Sequence, residues 1–235
     1  MKTSGQTGGG FPDISGLLMP GSVAIIGASD RAGNFGGGTI RNLLKFGYPG
    51  AIWPVNPNQQ TVSGLACYPS PRGLPGPADL AVLAIPAHGL ADAIGACAAA
   101  GIRHGVAFAG GFAETGGAGV DLQKALVERC RQSGFQLCGP NCVGIINAVM
   151  PMTATFATAL GEVEKFRPGC ISMVSQSGGM ATGTFALTQK ASFGFRYVVS
   201  SGNEAVATFA DYVHAFAEDE GTRVIVGYLE GITDG

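Results

Sequence analysis

Three short stretches place glycines and small polar residues where an apolar run gives way to a helix-length segment: GASDRAGNFGGG at 27–38, FAGGFAE at 108–114 and SQSGG at 175–179. A glycine turn entering a helix offers free backbone N–H groups and the positive end of the helix dipole, so its natural ligand is an anion, above all a phosphate. Gly27, Gly33 and Gly36 fit that role in the first stretch. The dinucleotide pattern G-x-G-x-x-G fails there, because Ser29 stands at the second glycine position and Ala32 at the third, where alanine is tolerated.

A second test concerns the carboxylate that binds a ribose 2′-hydroxyl about 20 residues past such a loop. From Arg31 to Ala78 there is no Asp or Glu, while Arg31, Arg41, Lys45 and Arg72 are present. An acid-free, basic surround suits a ligand with an extra phosphate near its ribose, NADP or coenzyme A, better than NAD. Arg41 and Lys45 read as solvated helix faces; Arg31, inside the turn, is the phosphate candidate. Other run ends supply small or flat groups at which a ligand can approach backbone closely: Asn56-Pro57, Ile85-Pro86, and Gly110-Gly111-Phe112 with Glu114 directly after. Each also has a plain structural reading, Pro86 as a strand stop and Gly110-Gly111 as a turn. Their coincidence along one sheet edge is what points to a site.

Ser175, Ser177, Gly178 and Gly179 form a second anion cradle, although serine at position 177 is also an ordinary helix N-cap. No G-x-S-x-G elbow surrounds Ser175, which argues against a triad nucleophile. Asn203 and Glu204 in SSGNEA, and Glu230 in YLEGI, end further runs on the same expected edge. Glu204 has the alternative task of complementing a helix dipole. A cradle beside a carboxylate suits phosphate chemistry with a cation such as histidine nearby, yet His88, His104 and His214 are none of them well placed for it.

Val- and Ile-rich runs alternating with amphipathic segments are the signature of a parallel α/β sheet. Strands are expected at 23–27, 51–55, 80–85, 105–108 and 136–138, with helices at 35–46, 89–100 and 120–132 closed by Gly47, Gly101 and Gly134. This first unit, placed at 11–145, runs out of elements near Gly139-Pro140. The stretch NAVMPMTATFATALGEVEKFRPG, with two prolines and weak periodicity, reads as a crossing between domains. A second unit at 146–235 holds strands at 170–175, 196–199 and 223–229 and helices at 178–189 and 204–217. Three strands and two helices are thin for an independent sheet, so the chain looks cut short, with an exposed edge that favours association.

A length of 235 residues with 46% hydrophobic and 13% charged composition suffices for one large or two small cores. The net charge of −2 leaves no basic excess for nucleic acid or membrane surfaces, so any anion site is local. The lead MKTSGQTGGG has no apolar core, and no continuous apolar run approaches the roughly 18 residues that cross a bilayer; a cytoplasmic protein is expected. Cys67, Cys97, Cys130, Cys138, Cys142 and Cys170 lack C-x-x-C spacing and read as buried reduced thiols, with no metal site.

Taken together, LLMPGSVAIIGASDRAGNFGG, IWPVNP, CGPNCVGIIN, MVSQSGG, SSGNEA and EDEGTRVIVGYLEGI resemble the NDP-forming acyl-CoA synthetases, relatives of the succinyl-CoA synthetase α subunit, across roughly residues 17 to 235. The resemblance implies a Rossmann-type CoA-binding domain followed by a partial flavodoxin-like domain, and the reversible conversion of acid, CoA and NTP to acyl-CoA, NDP and phosphate through a phosphohistidine. It implies that Ser29, Asp30 and Arg31, with Gly27 and Gly33, form the loop over the CoA phosphates. Asn56, Pro57, Ile85, Pro86, Gly110, Gly111 and Phe112 would line the CoA groove. Ser175, Ser177, Gly178 and Gly179 would cradle the phosphoryl group, with Asn203 and Glu204 near it, and Glu230 would orient the phosphohistidine as the catalytic residue. The family's phosphorylated histidine and ATP-grasp module fall outside this sequence, so ATP or GTP with Mg would enter only through an absent segment or an ATP-grasp partner subunit. Asn58 stands where many members have lysine.

Three functions stay open at this point: the CoA-binding portion of such a ligase, a stand-alone CoA-binding or regulatory module, and an NADP-dependent oxidoreductase. The last is disfavoured because the second unit lacks a Tyr-x-x-x-Lys pair. Acyl substrate, nucleotide preference and a homo-oligomeric state are not readable from these residues.

Overall fold

The computed structural model describes residues 10–191 and 193–232; the glycine-rich lead lies outside them except for Gly10. In chain order the elements are α1 (Ser15–Leu18), β1 (Ser22–Ile26), α2 (Phe35–Lys45), β2 (Ala51–Val55), β3 (Thr61–Val62), β4 (Leu65–Ala66), β5 (Leu80–Leu83), α3 (Leu90–Ala99), β6 (His104–Ala107), α4 (Ala118–Ser133) and β7 (Gln136–Cys138). They continue with β8 (Gly144–Asn147), β9 (Met152–Thr155), β10 (Pro168–Ser175), α5 (Gly178–Lys190), β11 (Phe195–Ser200), α6 (Phe209–Glu218) and β12 (Val224–Tyr228). The longest described helix is too short and too polar to cross a membrane.

The first sheet runs β2-β1-β5-β6-β7, every pair parallel, the Rossmann-type arrangement expected from the alternation of strands and helices. Its strands alternate strictly between two cores. Ala24, Ile26, Ala81 and Leu83 face α3 and α4, where Leu90, Ile94, Leu126 and Cys130 cover them. Val23, Ile25, Leu80 and Val82 face the other way, into a core shared with Val174, Tyr197 and Val199 of the second sheet and with Tyr212 and Phe216 of α6. A third cluster on the outer face of the second sheet packs Phe185 and Ala181 of α5 against Met173, Val198 and Ile146.

The second sheet corrects the sequence reading. Its order is β12-β10-β11-β8-β9: five strands, not three, because β9, inside the stretch read as a crossing, forms an antiparallel hairpin with β8, which leads into that stretch and pairs with β11. Every residue of β8 and β9 is buried, so the inside-outside alternation that announces a strand is absent. The hairpin also receives α2: Asn42 donates to the Thr155 carbonyl at 2.8 Å, and Phe35 stacks on Phe156 at 4.0 Å. Lys45, expected on a solvated face, instead donates to the carbonyls of Leu160 and Gly161 at 2.9 and 2.8 Å.

Helix α6 starts at Phe209 rather than Glu204. Thr208 caps it, accepting from the Asp211 N–H while Asp211 accepts from the Thr208 N–H, so the residues before it are a loop. Cys97, Cys130, Cys138 and Cys142 are buried free thiols as expected, but Cys67 is half-buried and Cys170 is exposed. Strand β12 lies at the sheet edge with all five residues exposed.

Candidate functional site

The turn between β1 and α2 is built around the Asn34 side chain. Its Oδ1 accepts from the N–H of Gly37, capping α2, and from the N–H of Ser29, while its Nδ2 donates to the Gly27 carbonyl. One side chain therefore closes both ends of the loop. Gly27 has φ +86°, and a Cβ there would sit 2.6 Å from both the Ala84 carbonyl oxygen and Ile85 Cγ2. Only glycine lets β1 leave the sheet this close to the end of β5. The amides of Ala32 and Gly33 donate to no protein acceptor among the described residues, and Arg31 is exposed and makes no ion pair among them.

Asn56, at the end of β2, braces the same loop by donating to the Ala28 carbonyl at 2.8 Å, and its Oδ1 accepts from the Asn58 N–H. Pro57 is exposed beside it. Asp30 is occupied differently from the sequence expectation of a phosphate loop residue. Its carboxylate accepts from the N–H and hydroxyl of Ser63, in the turn between β3 and β4, at 3.0 to 3.1 Å. It secures the loop's outer rim. Ile85 and the exposed Pro86 follow β5, and Gly110, Gly111 and Phe112 follow β6, so the predicted groove residues gather at the carboxyl edge of one sheet.

The second cradle is also assembled. Ser177 caps α5 through the Met180 N–H at 3.5 Å, and Gly178 and Gly179 open the helix. Ser175 is fully buried and donates its hydroxyl to the Ser177 carbonyl at 2.7 Å, so it shapes the loop from inside. Gln176 holds the chain beyond β12: its Oε1 accepts from the N–H groups of Glu230 and Gly231, and its Nε2 donates to the Gly231 carbonyl. That clamp brings Glu230 to the end of the sheet where Ser177 lies. Glu204 sits in the left-handed region at φ +52° and accepts from the Ser201 hydroxyl at 2.7 Å.

Asn203 is turned away from its predicted companions. Its Nδ2 donates to Glu114 at 2.5 Å and to Gln123 at 3.0 Å, both in the first unit, and its Oδ1 accepts from Asn141 at 3.2 Å. Glu114 in turn accepts from the N–H groups of Gly111 and Phe112. Burial pushes the Glu114 carboxyl up, but the hydrogen bonds from Asn203 and from these amides outweigh it and hold the group below the usual glutamate range. A carboxyl lowered in the folded state contributes stability that is complete above its unfolded value and is lost as the pH falls through the folded one. Glu114→Gln is therefore expected to lower stability at neutral pH and to flatten the acid limb; urea midpoints between about pH 3 and 6 check this.

Sequence reasoning missed Asn34, Ser63, Gln123, Asn141 and Gln176. Asn34 carried a readable sign, an amide residue directly before a helix start; the others join segments distant in sequence and carried none.

A family model described as CoA binding domain matches residues 21–148, and one described as succinyl-CoA ligase like flavodoxin domain matches residues 168–235. The chain is 36% identical over 219 residues to the ADP-forming acetate–CoA ligase I of Archaeoglobus fulgidus, covering 93% of this chain and 31% of that protein. It is 34% identical to the α subunit of ADP-forming acetate–CoA ligase II of Pyrococcus furiosus, covering 93% of this chain and 46% of the subunit. Among solved structures, the dinucleotide forming acetyl-coenzyme A synthetase 1 of Ca. Korarchaeum cryptofilum, in complex with phosphate and ADP, superposes with a TM-score of 0.88 at 33% identity. That match covers 95% of this chain and 47% of that one. The chain thus spans a third to a half of the length of these relatives. With a glycine turn, a braced rim and an exposed arginine at the carboxyl edge of a parallel sheet, and with the family match covering more than half its residues, the chain belongs to the CoA binding domain family, its second part matching the succinyl-CoA ligase like flavodoxin domain.

Proposed function

We propose that this chain binds coenzyme A along the carboxyl edge of the first sheet and serves as the CoA-binding part of an NDP-forming acyl-CoA synthetase. The observation that carries the reading is the turn at 27–34, closed by Asn34 around amides that meet no protein acceptor among the described residues, with the exposed Arg31 in no ion pair among them. These groups suit the phosphates of CoA, and Asn56, Pro57, Ile85, Pro86 and Gly110 to Phe112 form the flat, small-residue edge along which its extended body would lie. Coenzyme A supplies the thiol that becomes acylated; the chain's own task is to bind and orient it. At the second sheet, the α5 N-terminus with Ser177, Gly178 and Gly179 suits a phosphoryl group, and Glu230 suits the orientation of a phosphorylated histidine carried by a further segment. ATP or GTP with Mg would be handled by an ATP-grasp segment or partner subunit, in the cytoplasm.

Calorimetric titration with CoA, dephospho-CoA and NADP tests this. CoA is expected to bind and dephospho-CoA to bind at least tenfold more weakly. Arg31→Ala is expected to cost roughly tenfold in CoA affinity, since it removes a charge-assisted contact. Preference for NADP over CoA overturns the reading.

A further inference from the structure

We infer that Asn203 is a positioning residue that lets the second sheet set the wall of the CoA site. Glu204 and Ser201 bond within their own loop, as turn residues do. Asn203 does not. Both of its amide hydrogens go to acceptors 89 and 80 positions away, and its oxygen accepts from Asn141, so the carboxamide makes three hydrogen bonds across the junction between the two units. The acceptors are not incidental. Glu114 Oε1 holds the Gly111 N–H at 2.6 Å while Oε2 faces Asn203, and Gln123 Oε1 holds the Ala113 N–H at 3.2 Å. Each therefore ties Asn203 to the backbone of the loop after β6.

The backbone on either side of Asn203 is anchored to both sheets. The Asn203 and Ala205 N–H groups donate to the carbonyls of Pro140 and Gly139, just past β7, and the Ser201 N–H donates to Ser175, at the end of β10, at 2.8 Å. The 201–205 loop is thus a strut from the second anion cradle to the Gly110–Glu114 loop. Phe112 is fully buried and anchors one end of that loop in the first core, but Gly110, Gly111 and Glu114 are exposed, so the stretch leading into Phe112 is held by the hydrogen bonds to Glu114 rather than by packing. A loop left free must be ordered when ligand binds, which lowers affinity; a loop already latched does not.

The inference rests on the CoA reading for its binding arm only. Its test is amide exchange at Gly111 and Phe112 in the free protein, together with calorimetric CoA affinity. Asn203→Ala is expected to speed exchange at both amides about tenfold and to weaken CoA three- to tenfold, with the circular dichroism spectrum unchanged. A polarity swap separates positioning from bulk structure and serves if the alanine variant does not fold. Asn203→Asp alone sets two carboxylates face to face and is expected to weaken CoA more than alanine does. Adding Glu114→Gln leaves Oε1 for the Gly111 N–H and turns an NH2 toward the new carboxylate, and is expected to restore affinity to within about threefold of wild type. Unchanged exchange in Asn203→Ala, or no rescue by the double substitution, overturns the inference. A wild-type protein that does not bind CoA overturns the CoA reading instead, and the exchange result still decides the latch.

Discussion

Gly27→Val is expected to reduce CoA affinity at least hundredfold while leaving a folded protein. Two penalties combine at this position. A β-branched residue at φ +86° occupies a strained backbone region that costs roughly 1–3 kcal/mol. Its Cβ would also lie 2.6 Å from the Ala84 carbonyl and from Ile85 Cγ2, so either β1 withdraws or the end of β5 is pushed aside. Both shifts act on the phosphate turn and on the groove residue Ile85 together. Gly47→Ala is the control, because Gly47 shares the positive φ, at +69°, but a Cβ there meets nothing within 4 Å. It is expected to lose about 1 kcal/mol of stability and no affinity. Calorimetry on both variants, with folding followed by circular dichroism, checks the pair. A Gly27→Val protein that folds and binds within threefold of wild type removes the turn from the site.

Most of the first sheet is legible in the sequence, for a physical reason. Each of its strands is followed by a polar or glycine-containing turn, and the closing glycines Gly47, Gly101 and Gly134 all adopt the left-handed conformation their positions required. Observed ends differ from expected ones by one or two residues, as with β5, which stops at Leu83. The β8-β9 hairpin failed to announce itself because both of its faces are buried, leaving no alternation to read. The start of α6 was misplaced because Glu204 was credited to a helix, whereas the Thr208–Asp211 capping box was the better sign. Among the site residues, both glycine cradles and Glu230 could be assigned to the ends of strands. The direction taken by Asn203 could not, because its partners lie 62 to 89 residues away and are ordinary surface types in sequence.

The shared core leads to the second large effect. Phe216 of α6 is fully buried, lies parallel to Tyr197 with ring centroids 5.6 Å apart, and belongs to the same cluster as Val23, Ile25, Leu80 and Val82 of the first sheet. Truncating a buried phenylalanine costs about 3–5 kcal/mol, a large part of the roughly 5–15 kcal/mol that stabilises a whole domain. If the two sheets were independent units joined by a linker, that loss would stay in the second. Because one core serves both, Phe216→Ala is expected to lower the unfolding midpoint of the first sheet as well. The single tryptophan, Trp53, lies on β2, at the edge of the first sheet farthest along the strand order from β7, and reports on that unit alone. Urea unfolding followed by Trp53 fluorescence and by far-ultraviolet circular dichroism should give coincident transitions, both shifted down in the variant. A Trp53 transition that stays at its wild-type midpoint while the dichroism shifts would show two separately stable units. The latch at Asn203 would then, like the Asn42 and Lys45 bonds from α2, tie together separately stable units, and its loss would change CoA affinity without changing the stability of the first sheet.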